Sequence, residues 1–155
     1  MQEVPGRLRL HVNRANPTVS TGSRALVEAA PTHPMWRGQT WDRTLDVAAT
    51  TLDLLIGEHG APAFIKIDVE GFEDRVLAGL TRPVPALSFE FTTVQRPVAA
   101  RCLEHAERLG YARFNLSLGE SHALEFDAWA SAREILRVVE SLPEEANSGD
   151  VYARL

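Results

Sequence analysis

From Thr50 to Leu155, short apolar runs of strand length alternate with amphipathic runs of helix length, punctuated by Gly60, Gly71, Gly110 and Pro143. No other feature constrains the fold as tightly, because repeated strand–helix units build an α/β layer structure. Thr50 and Asp53 have the spacing of a capping box, and Leu52, Leu55, Ile56 and His59 then share one helix face. Gly60 stops that helix and Pro62 prevents its restarting. Phe64-Ile-Lys-Ile-Asp-Val69 carries apolar residues on both faces, as a strand inside a parallel sheet does. Gly71 turns the chain, and Phe72, Val76, Leu77 and Leu80 give a helix with Glu73 and Asp74 at its positive end. The cycle repeats with a strand at Ala86–Phe91 and a helix striped by Val98, Cys102, Ala106 and Leu109. A third strand follows at Tyr111–Leu118, then a helix capped by Asp127 that carries Trp129, Ala132, Ile135, Leu136, Val139 and Leu142. Gly149–Leu155 reads as the last strand. The expected fold is α/β, a mainly parallel sheet with helices on both faces.

Residues 1–46 have a different texture. Arg7–Asn13 alternates strictly, with Leu8, Leu10 and Val12 on one face, which is a half-buried strand. Asn16–Ser23 is turn chemistry and reads as an ordered loop. The stretch from Ala30 to Trp41 mixes Pro31, Pro34 and Gly38 with Trp36 and Trp41, and its pattern assigns no element. At 155 residues the chain reads as one domain, 1–155, made of an N-terminal strand and loops (1–46) and βα units (47–155).

Composition narrows the function classes. The 16 basic against 21 acidic side chains give a net charge of −5, which argues against a nucleic-acid partner. No 18-residue apolar run and no basic-then-apolar N-terminus occurs, so no membrane association is expected and a cytoplasmic location is the default. The five histidines (His11, His33, His59, His105, His122) show no ligand spacing, and no metal site is read from them. Cys102 sits on the apolar stripe of its helix and reads as a buried, inert thiol.

Ligands of open α/β sheets bind beyond the carboxyl ends of the strands. Asp68 and Glu70 stand at such an end, with Lys66 at the same two-residue period, and Glu90 stands near the end of the next strand. Crowded carboxylates can have their pKa raised into a useful range for proton transfer. Each also has a structural reading: Asp68 and Glu70 can cap the following helix, and Lys66 can neutralise a buried carboxylate.

Thr50-Thr-Leu-Asp53 followed by Phe64-Ile-Lys-Ile-Asp-Val-Glu-Gly71, with Glu73 and Val76-Leu77 after it, resembles the signature of the FkbM-type methyltransferases. Leu87-Ser-Phe-Glu-Phe91, Gly149-Asp-Val-Tyr152 and the loop Asn16-Pro-Thr with Ser20-Thr21 sit where that family has its next strand, its last strand and its preceding loop. The resemblance implies an S-adenosylmethionine-dependent O-methyltransferase acting on a hydroxyl of a sugar or secondary metabolite. For that reaction the strand-end positions make Asp68 and Glu70 the catalytic candidates, with Glu90, Lys66, Ser20 and Thr21 as acceptor-binding candidates. It covers only the C-terminal part of the family's domain. The ten glycines include no Gly-x-Gly, so no residue is assigned to cofactor binding. About 90 residues, three βα units at ~30 each, are the expected shortfall of a partial Rossmann-like class I fold. Two expectations follow: the isolated chain is inactive, and the Phe64–Val69 strand exposes an edge open to a homodimer partner or a complementing chain unless residues 1–46 cover it. The competing reading is a degenerate, non-catalytic half-domain that serves as a binding or assembly module.

Overall fold

The computed structural model describes residues 1–121 and 123–155; His122 lies outside the described residues. Among the described residues there are two sheets. A hairpin pairs β1 (Gly6–Val12) antiparallel with β2 (Arg43–Ala49). A four-stranded sheet contains β3 (Phe64–Ile67), β4 (Ala86–Thr92), β5 (Arg113–Leu118) and β6 (Ser148–Arg154), in the spatial order β3-β4-β6-β5. The helices are α1 (Arg24–Ala29), α2 (Leu52–His59), α3 (Glu73–Leu77), α4 (Arg96–Arg108) and α5 (Ala132–Ser141).

The α/β class is observed, but the sheet is not mainly parallel. Only β3 and β4 run parallel, while β6 lies between β4 and β5 antiparallel to both. The reason lies in the last connection. α5 leads into β6 through the short segment at Pro143–Asn147, where Asn147 has φ +60, and β6 enters a gap instead of extending the edge. Helices on both faces are not observed either. The helices that pack on the sheet, α3 on β3, α4 on β4 and α5 on β5, also pack on one another in sequence and form a single layer. Ile67, Leu87, Phe89, Phe91, Leu116, Val151 and Ala153 face that layer and form the core with Val76, Leu77, Cys102, Leu103 and Ile135. The alternate positions of the same strands, Lys66, Ser88, Glu90, Asp150 and Tyr152, line the other face. Completely burying side chains such as Leu87 and Ile135 stabilises the sheet–helix contact by roughly 1.5–3 kcal/mol each before entropy is counted.

Local expectations differ in instructive places. The cap of α2 is Thr51, whose hydroxyl accepts from the backbone of Leu54; Asp53 instead holds the backbone N–H and hydroxyl of Thr81, at 3.0 and 2.6 Å. Ser131, in a full capping box with Glu134, caps α5 in place of Asp127, and Trp129 lies outside the helix beneath the guanidinium of Arg154. β3 is an edge strand with Phe64 46% exposed, not a strand buried on both faces, since it has a neighbour on one side only.

Residues 13–41 form a small lobe over the carboxyl end of the sheet. Ser23 caps α1, and Leu26, Ala30 and Trp36 make a separate core on which Trp41 stacks. Trp36 donates its indole N–H to Asn147 beside β6, which fastens the lobe to the sheet. Residues 1–46 do not pair with the outer edge of β3; β1 takes β2 as its partner, and Thr21, bridged to His11, touches the β3–α3 turn at the Glu70 carbonyl.

Candidate functional site

The chain leaves β3 after Ile67 and makes a sharp turn before α3. Glu70 has φ +57 and Gly71 φ +79, two consecutive residues in the left-handed region. A non-glycine residue there costs on the order of 1–3 kcal/mol and persists only where its surroundings fix it. Two groups do so. The buried Thr21 hydroxyl donates to the Glu70 carbonyl at 2.5 Å, and the buried Glu73 carboxylate accepts the backbone N–H of Val69 and of Gly71, both at 3.1 Å. Gly71 has a spatial requirement as well, because a Cβ there would lie 2.5 Å from the Gln95 side-chain oxygen. Glu73 reads in sequence as a helix-end charge; its clamp on the turn depends on backbone geometry that no residue pattern reveals.

The turn aims three carboxylates at one another. Ligand oxygens of Asp68, Glu70 and Glu90 lie within 4.8 Å, so the structure does bring Glu90 to Asp68. Beside them Lys66 bridges Asp150 at 2.7 Å and Asp68 at 3.4 Å. Burial lowers the Lys66 pKa, but Asp150 and Asp68 outweigh it and hold the ammonium charged. Asp150, largely covered and brought alongside Glu90 by strand register, is a member of the site that sequence spacing missed. The signal for it is the antiparallel β4–β6 register, which requires the topology.

Electrostatics follow from this crowding. Burial first, then the charges of Asp68 and Glu73, pushes the Glu70 carboxyl up to about 7. Glu90 is pushed to about 9, again by burial first and then by Glu70 and Asp68, and its buried Oε2 has no hydrogen-bond partner. Glu73 also rises to about 7, chiefly through burial, against the pull of its two backbone N–H donors. At neutral pH Glu90 is therefore a neutral acid able to donate, and Glu70 is poised between its two forms. Three carboxylate oxygens this close could also hold one hard divalent cation, a ligand set that a search for histidine spacing overlooks.

The remaining sequence candidates are placed differently. The Ser20 hydroxyl accepts from the backbone of Asn13 at 3.3 Å, and Thr21 is committed to Glu70 and to the backbone of Ser23. Both are engaged within the lobe, and Thr21 reaches the site through the backbone it fixes. Cys102 is fully buried, and burial raises its thiol well above the usual range.

The model of the methyltransferase FkbM domain matches residues 9–140 of this sequence. The chain belongs to the FkbM methyltransferase family. Comparisons with curated proteins and with solved structures return no match. Within the matched span fall the lobe, the β3–α3 turn and all three converging carboxylates; Asp150 lies beyond it. No described helix of this FkbM domain is long and apolar enough to cross a membrane.

The residues present do not make a nucleotide cradle for the methyl donor. Such a cradle needs backbone N–H groups left open at a Gly-rich strand–helix turn. Among the described residues, the glycine between a sheet strand and its helix is Gly71, whose N–H is taken by Glu73 and whose open side is filled by Gln95. The helix that follows has only five residues.

Proposed function

We propose that this chain carries the acceptor side of an S-adenosylmethionine-dependent O-methyltransferase of the FkbM type, with a sugar or secondary-metabolite hydroxyl as acceptor. The observation that supports it is the convergence of Asp68, Glu70 and Glu90 at the carboxyl end of β3 and β4, within a chain of this family. Glu70, at about 7, is the general base that receives the acceptor's hydroxyl proton. Neutral Glu90 donates a hydrogen bond that orients the acceptor oxygen, and Asp68 and Lys66 fix the local charge. In this reading the donor's nucleotide part is held by groups other than the β3–α3 turn, whose Gly71 N–H is already taken by Glu73.

The test is Glu70→Gln at the matching turn of an active family member. The rate of the parent rises with pH and levels off above about 7, as a base with that pKa requires. The variant loses about 100-fold or more and the acid limb disappears. An unchanged pH profile with full activity overturns the assignment.

A second reading has its own observation. β3 keeps one edge unpaired, and three of the buried polar side-chain atoms without a partner, Ser88 Oγ, Glu90 Oε2 and Arg154 Nε, belong to residues that alternate on the face away from the helix layer. We propose that this edge pairs with a second copy or a complementing chain. In that reading the domain is a non-catalytic assembly module.

A further inference from the structure

An open groove of about 830 Å³ runs between α1, α3 and α4, with Gly71 and Phe72 of the β3–α3 turn in its lining. Its α4 wall is one stripe, Pro97, Arg101, Glu104 and Arg108, at spacings of four, three and four residues. That stripe is roughly 16 Å long at 1.5 Å per residue. Gly71 and Gln95 line the groove at the turn, so its lining begins one residue from Glu70.

Four of the chain's 16 basic side chains line this groove: Arg24, Arg75, Arg101 and Arg108. Each guanidinium is held by one carboxylate: Arg24 by Glu28 at 2.7 Å, Arg75 by Glu3 at 3.4 Å, Arg101 by Asp74 at 2.6 Å and Arg108 by Glu104 at 2.7 Å. These contacts fix position without exhausting capacity. A guanidinium has five N–H donors in a planar fork, and all four remain more than half exposed. With Glu28 counted, four carboxylates balance the four guanidiniums, so what the groove offers an oxyanion is exposed N–H donors in fixed positions and no net positive charge. Its floor includes Phe72 and Val98, which gives a ligand an apolar surface beneath the charged rim.

We propose that this groove is a binding site for an extended oxyanion ligand, one bearing phosphate or carboxylate groups that the four guanidiniums grip by paired N–H donors. That this ligand is the methyl acceptor, with its anionic part along α4 and a hydroxyl at the β3–α3 turn, rests on the reading of the acidic cluster given above. That the groove takes an anion does not.

The experiment is equilibrium binding of two probes, inorganic pyrophosphate and trigalacturonate, to the 155-residue chain at low and high salt, without methyl donor. Calorimetry measures affinity, and amide chemical shifts locate the site. One probe binds at one site per chain, weakens with salt, and shifts the amides of Arg24, Arg75 and Arg101; which probe binds identifies phosphate or carboxylate as the partner. Arg75→Gln/Arg101→Gln lowers its affinity about tenfold or more, since charge-assisted hydrogen bonds are lost, while Arg137→Gln on α5 does not. Failure of both probes to bind the unaltered chain overturns the proposal, as do shifts confined to residues elsewhere; neither of these results requires the double variant to fold. A failed Glu70→Gln test with saturable anion binding here would remove the catalytic reading and leave the groove.

Discussion

Replacing Glu90 by glutamine should stabilise this protein at neutral pH, and the gain should vanish in acid. Glu90 is mostly buried, faces Asp68 and Glu70, and has its pKa pushed from 4.5 to about 9. A raised acid pKa means the folded chain holds a proton that the unfolded chain releases once pH exceeds 4.5. Stability contributed by this group therefore falls as pH rises through 4.5 and continues to fall up to about 9. At pH 7 the window traversed is about 2.5 pH units, which at ~1.36 kcal/mol each caps the penalty near ~3.4 kcal/mol. Residual exposure and coupling to Glu70 reduce it to about 2–3 kcal/mol. The amide of the Glu90→Gln variant is neutral, nearly isosteric with the acid and free of this proton linkage. Urea unfolding of both proteins at pH 4.5, 6, 7 and 8 should give equal midpoints at the lowest pH. The gap should then grow to about 2–3 kcal/mol at pH 7, or ~5–10 °C in Tm, with an unchanged m-value. A variant no more stable than its parent at pH 7 would refute the reasoning. A gap of the same size at pH 4.5 would trace the effect to packing instead of the proton.

Other outcomes follow from the same structure. S-Adenosylmethionine should bind the isolated chain no more tightly than about millimolar, because a few contacts of ~1 kcal/mol barely exceed an association cost of at least ~4 kcal/mol; calorimetry giving a micromolar constant would show a cradle among these residues. Sedimentation should reveal concentration-dependent self-association through the β3 edge, and Phe64→Lys, at an exposed position of that strand, should suppress it without lowering Tm. A parent that stays monomeric across the concentration range contradicts this. Gly149→Ala should cost about 3 kcal/mol or more in chemical denaturation, since the new Cβ would overlap the Ser117 carbonyl oxygen and press on the Phe91 ring.

Period and punctuation made the βα units from Thr50 onward legible, because Ile67, Leu87, Val98 and Ile135 each bury the face their spacing predicts. The direction and order of strands were not legible. Whether β6 lies at an edge or between β4 and β5 depends on a turn at Asn147 and on non-local pairing. β2 is hard to read because its alternating apolar residues, Leu45, Val47 and Ala49, bury no full face, and its partner β1 lies far back in the sequence. α1 escaped because six residues carry too little periodicity, although Ser23 is a good cap. At the site, Asp68, Glu70 and Glu90 were found by their place at strand ends, a rule of α/β sheets in general. Asp150 and Glu73 were missed, because what they touch is decided by strand register and by a left-handed turn.

The position of β6 bears on how the molecule comes together. β4 and β5 have no ladder with each other; each is bonded to β6, whose residues are the latest in the sequence to join any sheet. The sheet is therefore closed from its middle by a keystone. Shortening the chain by β6 would not trim an edge but would part β4 from β5, expose Phe89 and Leu116 together, and free Asn147 from Trp36. During synthesis, β4 and β5 must wait for the same seven-residue strand before they join one sheet, and the hydrogen bond from Trp36 of the lobe is made to the residue just before it.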